Sequence, residues 1–362
     1  MTFLKSIERN GKRLLIRAIS LILPKQEQVN PEQLRNAAIK KVLIIRLEQK
    51  LGNMVMTTII PRAIKEMYNE ADIDILVHSN LKPVWENNPF VRHILEFNHV
   101  SHLINPFRLL NLIISIRKTD YDVALDCSNP AGFSLSNGLF TRMSGATYQV
   151  GFKRGNSDLM LNVSVTPDLS KHYIDIIIDL LSVFRQDIRR FEPEIFITDE
   201  EKSRSMSILE NYGVENDSKV VVIWVGARFG KQWNIEHFRD LGSTLESETG
   251  SRCLYLCGPE EKRLFDYLTG LEMDNVLNVS DLRTLACIID RCDLFISGDA
   301  GPLHLAVALN KSTVGIFLVN NVGMYGYDNC ENHRVADLTS EPEDIEKVKK
   351  VCREIFQLEP QR

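Results

Sequence analysis

Short, uninterrupted apolar runs recur along this chain and alternate with longer stretches of helical period. KVLIIRL (41–47), IDILVHS (73–79) and YDVALDC (121–127) are such runs. Apolar runs of this length, without polar alternation, are expected of parallel strands buried on both faces. Between them the periodicity predicts helices. One runs from about Met54 to Tyr68 and is kinked at Pro61; others cover 109–118, 134–145 and 172–184. WENNPFVRHILEF (85–97) reads as a short helix and a third strand.

The pattern breaks over residues 196–218, a charged stretch that reads as a hinge, and then resumes. KVVVIWVG (219–226), RCLYLCG (252–258), VLNVS (276–280), DLFISGD (293–299) and TVGIFLV (313–319) form a second strand series, with helical stretches between them. The tail, 341–362, reads as a capped amphipathic helix. The alternation predicts an α/β protein of two doubly wound, Rossmann-like domains, residues 40–195 and 219–340, with a central cleft between them. Ligands belong in that cleft, at the carboxyl ends of the strands.

Residues 1–39 stand apart as a basic helix and a polar connector. Over 3–23, Phe3, Leu4, Ile7, Leu14, Leu15, Ala18, Leu21 and Ile22 share one helical face, and Lys5, Arg9, Lys12, Arg13 and Arg17 share the other. Such a helix either packs on the body of the protein or lies in an anionic membrane surface. No small-residue cleavage site follows Leu23, so the segment does not read as a signal peptide.

Composition narrows the function. With 362 residues the chain has room for two cores, and 44% hydrophobic with 25% charged residues is ordinary globular usage. The formal net charge of -5 supplies no basic field for nucleic acid. No apolar run reaches the roughly 18 residues that a membrane span requires. The seven cysteines are scattered without metal-ligand spacing and read as reduced core thiols of a cytoplasmic protein. His93, His99 and His102 lie together in a polar connection, where a surface loop fits better than a metal site.

The chemistry concentrates at strand ends. In GDAGPLHLAVAL (298–309) a strand closes at Asp299 and a helix opens near Pro302, with Ala300 and Gly301 between them and His304 in the first turn. Backbone N–H groups and the helix dipole favour an anion at such a start, and a diphosphate fits. Alone, the motif reads better as a plain strand-to-helix turn with Asp299 as N-cap. It has company in WVGARFGKQW (224–233), which supplies Gly226, Arg228 and Lys231. Lys231 there is either a charge for a leaving diphosphate or a solvated loop lysine. CGPEEK (257–262) places Glu260 and Glu261 where they accept from sugar or ribose hydroxyls, or cap the next helix.

Taken together, these motifs resemble the ADP-heptose:lipopolysaccharide heptosyltransferase family (glycosyltransferase family nine). V-L-I-I-R-L, L-G-N-M-V-M-T-T, E-N-N-P-F-V, Y-D-V-A-L-D and V-G-F extend the likeness, in order, over nearly the whole chain beyond residue 40. The resemblance implies a GT-B type fold, inverting transfer, and neither an essential metal nor a cofactor. It implies ADP-heptose as donor and the lipopolysaccharide core, or a lipid-linked glycan, as acceptor at the inner face of the cytoplasmic membrane. Carried over by position, Lys231 holds the donor phosphates. Asp299, Gly301 and His304 hold the diphosphate and sugar, and Glu261 lies near the nucleoside. Gly52 shapes the acceptor-side loop, and His172 and Asp126 lie on the acceptor side.

Two departures matter. The family's acceptor loop carries Gly-Asp, the aspartate being the expected general base; this chain has Gly52-Asn53. An amide takes no proton at neutral pH, so Glu48 in the same loop becomes the candidate base, with Asn53 orienting the acceptor. The plainer alternative pairs Glu48 with Arg46 or Lys50 in a solvated loop. Ala300 stands where the family often has a hydroxyl residue. The departures leave open a change of donor or acceptor within the family, or a catalytically weak binding member. A Rossmann oxidoreductase is disfavoured, because no G-x-G-x-x-G follows the first strand.

Overall fold

The computed structural model describes Leu21 and residues 24–228, 230–328 and 331–358. The basic helix expected over 3–23 therefore lies, Leu21 apart, outside the described residues. No helix among the described residues is long and apolar enough to cross a membrane.

Two six-stranded sheets organise the chain. The first contains β1 (Lys41–Arg46), β2 (Asp72–His78), β3 (His93–Phe97), β4 (Val123–Asp126), β5 (Tyr148–Phe152) and β6 (Val163–Val165), in the order β3-β2-β1-β4-β5-β6. The second contains β7 (Val220–Trp224), β8 (Arg252–Cys257), β9 (Val276–Asn278), β10 (Leu294–Gly298), β11 (Ser312–Phe317) and β12 (His333–Asp337), in the order β12-β11-β10-β7-β8-β9. Every pairing is parallel. Winding reverses between β1 and β4 in the first sheet and between β7 and β10 in the second, which opens a crevice at each switch point. The central strands β1, β4, β7 and β10 are buried almost throughout, as their continuous apolar runs require.

The differences from the sequence reading have local causes. β5, β6 and β12 are short, polar-interrupted edge or near-edge strands with too few apolar positions to stand out. The segment around Gly52, expected as a loop, is helical: Leu51–Met56 forms one helix and Ile59–Met67 another. Pro61 falls in the first turn of the second, where no backbone donor is lost, so the break lies before it, at Thr57 and Thr58. The six described cysteines are buried and free.

The two halves touch through close-packed helices. Helix Leu51–Met56 lies against helix Gly301–Ala308. A side chain at Gly52 would collide with the His304 ring, its Cβ 2.9 Å from Nε2; one at Gly301 would stand 2.8 Å from the Leu51 Cβ. Glycine at both positions lets the helices meet. Arg283 clamps the same junction. Its guanidinium donates to Glu201 at 2.7 and 2.8 Å, to the Pro83 carbonyl at 3.1 Å and to the Phe196 carbonyl at 2.6 Å. That joins the first half, the connector and the second half at one buried side chain. Helix Asp199–Glu210, in the segment read as a hinge, packs on helix Leu282–Arg291.

Candidate active site

A cavity of about 410 Å³ opens between the carboxyl ends of the two sheets. Residues 49–53 line it from the first half. From the second half come Trp224, Gly226 to Arg228, Lys231, Gly258 to Glu261, Val279 to Leu282, Leu285, Asp299 to Pro302, His304 and Tyr325. Of the candidates read from sequence, Gly52, Asn53, Gly226, Arg228, Lys231, Glu260, Glu261, Asp299, Ala300, Gly301 and His304 all face this one space.

Two helix starts meet there, and neither is capped by a side chain. Helix Gly301–Ala308 has Ala300 at its N-cap, and helix Leu51–Met56 has Lys50; neither side chain accepts from the first turn. Asp299 is thus not the cap that a plain strand-to-helix turn would use. Elsewhere Asn234, Asp281, Thr198 and Asn105 cap their helices in the ordinary way. Uncapped starts also occur at Thr58 and Ser134; what sets these two apart is that both open on one cavity, where first-turn N–H groups favour an anion.

Lys231 supplies the full charge. It pairs with Asp299, which also accepts from Asn321 Nδ2, and its ammonium lies 6.0 Å from the Tyr325 ring centre. The solvated-lysine alternative does not describe it, because only 25% of the side chain is exposed. Arg228 pairs with Glu260 at the outer rim, both well exposed. Glu261 turns inward instead: its Oε2 accepts from the Gly258 N–H at 3.1 Å, and burial pushes its carboxyl upward. Gly226 makes room for it, since a Cβ there would stand 2.6 Å from Glu261 Cγ.

His304 sits at the seam of the two halves. Burial, aided by nearby His172, lowers it to about 4 despite the carboxylate of Asp299, so the ring is neutral at pH 7. Its Nδ1 is 2.7 Å from the Tyr327 hydroxyl. His172 lies behind this pair, its ring 5.2 Å from that of Tyr327, and does not line the cavity. Burial and Arg190 lower it, too, to about 4. Its Nδ1 caps helix Tyr173–Leu181, and its Nε2 is buried without a partner.

The other acceptor-side candidates behave differently. Glu48 does not line the cavity. Its carboxylate accepts from Arg46 at 3.0 Å and from the Asn129 N–H at 3.0 Å. The pair with Arg46 anticipated as the plainer alternative is therefore present, but it is not a solvated one: Arg46 is 1% exposed. Asp126 is enclosed as well, accepting from Ser128 N–H, Ser128 Oγ, Asn137 and Arg154. Asn53 does face the cavity, and its Nδ2 is buried with no partner. A donor left open at that position suits an incoming oxygen.

Sequence reasoning missed Asn321, Tyr325 and Tyr327, which hold Asp299, line the cavity and bond His304. They follow β11 in NNVGMYGYDN (320–329), so their place after a strand's carboxyl end was an available signal.

Two facing Rossmann-like domains with such a cleft define the molecule as a GT-B type glycosyltransferase. The sequence matches glycosyltransferase family 9 (heptosyltransferase) over residues 109–354, and the chain belongs to that family. It is similar to lipopolysaccharide heptosyltransferase 2 of Escherichia coli K12, 22% identical over 297 residues, spanning 76% of this chain and 82% of that protein. Lipopolysaccharide heptosyltransferase 3 of the same organism is 23% identical over 290 residues, 74% and 79% of the two chains. Among solved structures, a family 9 glycosyltransferase from Veillonella parvula superposes with a TM-score of 0.72 at 18% identity, covering 86% of this chain and 89% of that one. E. coli ADP-heptose lipopolysaccharide heptosyltransferase II gives 0.67 at 20% identity, covering 88% and 99%.

Proposed function

We propose that this glycosyltransferase moves a heptose-like sugar from an ADP-linked donor to a hydroxyl of a lipopolysaccharide core or a related cell-surface glycan, with inversion. The observation that carries the reading is the meeting of two helix starts without side-chain caps, over Lys231, in a cleft between the two sheets. The names of the similar E. coli enzymes support the choice of sugar and acceptor.

The donor diphosphate lies over the start of helix Gly301–Ala308, and Lys231 exchanges part of its bond with Asp299 for a phosphate oxygen. As the anomeric C–O bond breaks, negative charge grows on the leaving diphosphate. Fixed N–H dipoles and an ammonium in a partly dry cleft stabilise that charge more than the ground state. Glu261 accepts from the ribose. The acceptor enters from the 48–53 side, where the Asn53 amide donates to its oxygen. The acceptor oxygen attacks the anomeric carbon opposite the departing phosphate, and Glu48, held outside the cavity lining, takes its proton after turning toward the cleft. For this Glu48 gives up one of its two donors. His304 is the competing base, being neutral and at the seam beside Gly52.

A donor screen with a truncated lipid A–core acceptor, read by mass spectrometry, tests the reading. A product heavier by one heptose, formed from the ADP-sugar, is expected. Transfer from a UDP-sugar alone would overturn the donor assignment, and sugar appearing only on a different glycan would overturn the acceptor.

A further inference from the structure

The helix Pro106–Thr119 has two apolar faces, and the fold uses only one. Leu109, Leu112, Ile113 and Ile116 pack inward against the cluster of Leu43, Ile45, Phe97 and Phe140. Phe107, Leu110 and Ile114, spaced three and four residues apart on the opposite side, are 75%, 50% and 40% exposed. Val100 and Ile104, on the short preceding helix His99–Ile104, continue the exposed stripe at 66% and 78%. Five of the nine large hydrophobic side chains exposed among the described residues thus fall within fifteen consecutive positions. Exposed apolar residues scattered singly need no explanation; a contiguous stripe marks a contact surface.

The charge around the stripe selects the partner. No Asp or Glu occurs between Glu96 and Asp120, in a chain with 48 acidic residues and net charge -5. Arg108, Arg117 and Lys118 are exposed on this helix, and among the described residues none of the three is ion-paired to a carboxylate. Apolar side chains flanked by unneutralised cations are complementary to an anionic lipid surface: the side chains enter the headgroup boundary and the cations meet phosphates. A second copy of the chain fits poorly, because a two-fold contact through this stripe would bring like charges together.

Position ties the stripe to the site. The carboxyl end of β3 pairs with that of β2, Phe97 opposite His78, and β2 pairs in turn with β1, Val77 opposite Arg46. Val100, Ile104 and Phe107 therefore follow the same, carboxyl, end of the sheet as Glu48 and the helix carrying Gly52 and Asn53. We infer that the Val100–Lys118 face docks on an anionic bilayer and sets the acceptor side of the cleft beside it. The docking is independent of which sugar the enzyme transfers.

The test uses the full chain and vesicle flotation at low salt, with phosphatidylglycerol–phosphatidylcholine vesicles and with phosphatidylcholine alone. The wild-type chain is expected to float with the anionic vesicles and to be released by high salt. Phe107→Glu/Ile114→Glu should lower that binding about tenfold or more, with an unchanged melting temperature and unchanged turnover on a soluble, delipidated acceptor. Arg117→Gln/Lys118→Gln should weaken binding only to the anionic vesicles. Undiminished vesicle binding by the Phe107/Ile114 variant would overturn the inference. So would a wild-type dimer that the same substitutions dissociate while vesicle binding persists, which would make the stripe a contact between copies.

Discussion

The carboxyl ends of the two sheets differ in where their charges go, although each presents a helix start without a side-chain cap to the cleft. At the second sheet, polar groups are left open to the cleft: a helix start has no side-chain cap, Asp299 holds Lys231 in place, and Glu261 is turned inward. At the first sheet the strand-end charges are consumed internally. Arg46 donates to the Cys127 carbonyl, the Tyr173 hydroxyl and Glu48, and Arg154 donates to the Ser128 and Asn129 carbonyls and to Asp126. The contrast fits the proposed roles of the two sides. A diphosphate is a compact anion and is met by preset donors. A glycan hydroxyl is neutral and needs a rigid floor, with one base and one orienting group near it.

The sharpest way to break this comparison is at Glu48, whose removal tests whether the closed network also does chemistry. Glu48→Gln keeps the shape and most of the hydrogen bonding. Turnover is expected to fall by roughly 10²–10⁴-fold with donor binding spared. Asn53→Asp in that background should restore part of the rate. Near-normal turnover in Glu48→Gln would pass the role to His304, and His304→Asn would then carry the large loss.

On the donor side, Lys231→Ala should weaken nucleotide-sugar binding and lower kcat/KM together, by a few kcal/mol, as loss of a charge-assisted phosphate contact implies. Calorimetry with ADP and steady-state rates measure the two effects. If both stay at wild-type values while circular dichroism shows an intact fold, Lys231 is no part of the receptor.

Gly52→Ala addresses the seam between the two sides. The new Cβ would occupy the space of the His304 ring, so the helices must part or the ring must turn away from Tyr327. Overpacking of this kind costs about 1–3 kcal/mol. We expect a rate lower by about 10- to 100-fold and a visible change in the His304 imidazole resonances. Wild-type kinetics with unchanged resonances would show that the close approach is not needed.

The smallest effect is on stability against pH. His172, His304 and His333 are each lowered by burial to about 4 in the folded chain, against 6.5 when unexposed to the fold. The unfolded chain therefore binds more protons between these values. Stability from these groups is complete above about pH 6.5 and is lost as pH falls toward 4. Glu201, held down to about 2 chiefly by its hydrogen bonds with Arg283, acts in a lower window: its contribution is present above about 4.5 and fades as pH drops toward 2. Urea midpoints across both windows should decline in two stages. His333→Phe should flatten only the upper one, and an unaltered upper slope in that variant would count against the assignment.

Much of the fold is legible in the residues themselves. Continuous apolar strands separated by helical stretches need helices on both faces of a parallel sheet, and the charged break over 196–218 divides them into two series, as in the two doubly wound sheets observed. The donor motifs were legible too, because each sits immediately after a strong strand, where chain direction alone sends it toward the cleft. Short edge strands such as β6, with three residues, left no periodic trace. Nor did the helix at Gly52, whose glycine reads as a loop signal until His304 is seen filling the space above it.

The amino-acid sequence by itself determined the two-sheet architecture, the position of Lys231, Asp299 and His304 just beyond strand ends, and an amide rather than an acid at Asn53. Only the tertiary structure decided which charges stay open and which are spent. Arg154 reaches Asp126 across 28 positions, and Arg46 reaches the Cys127 carbonyl across 81. Tyr327 reaches back 23 positions to His304, and Arg283 reaches 200 to Pro83. Burial, neutralisation and the capping of a helix start are properties of neighbours in space, and local pattern carries no record of them.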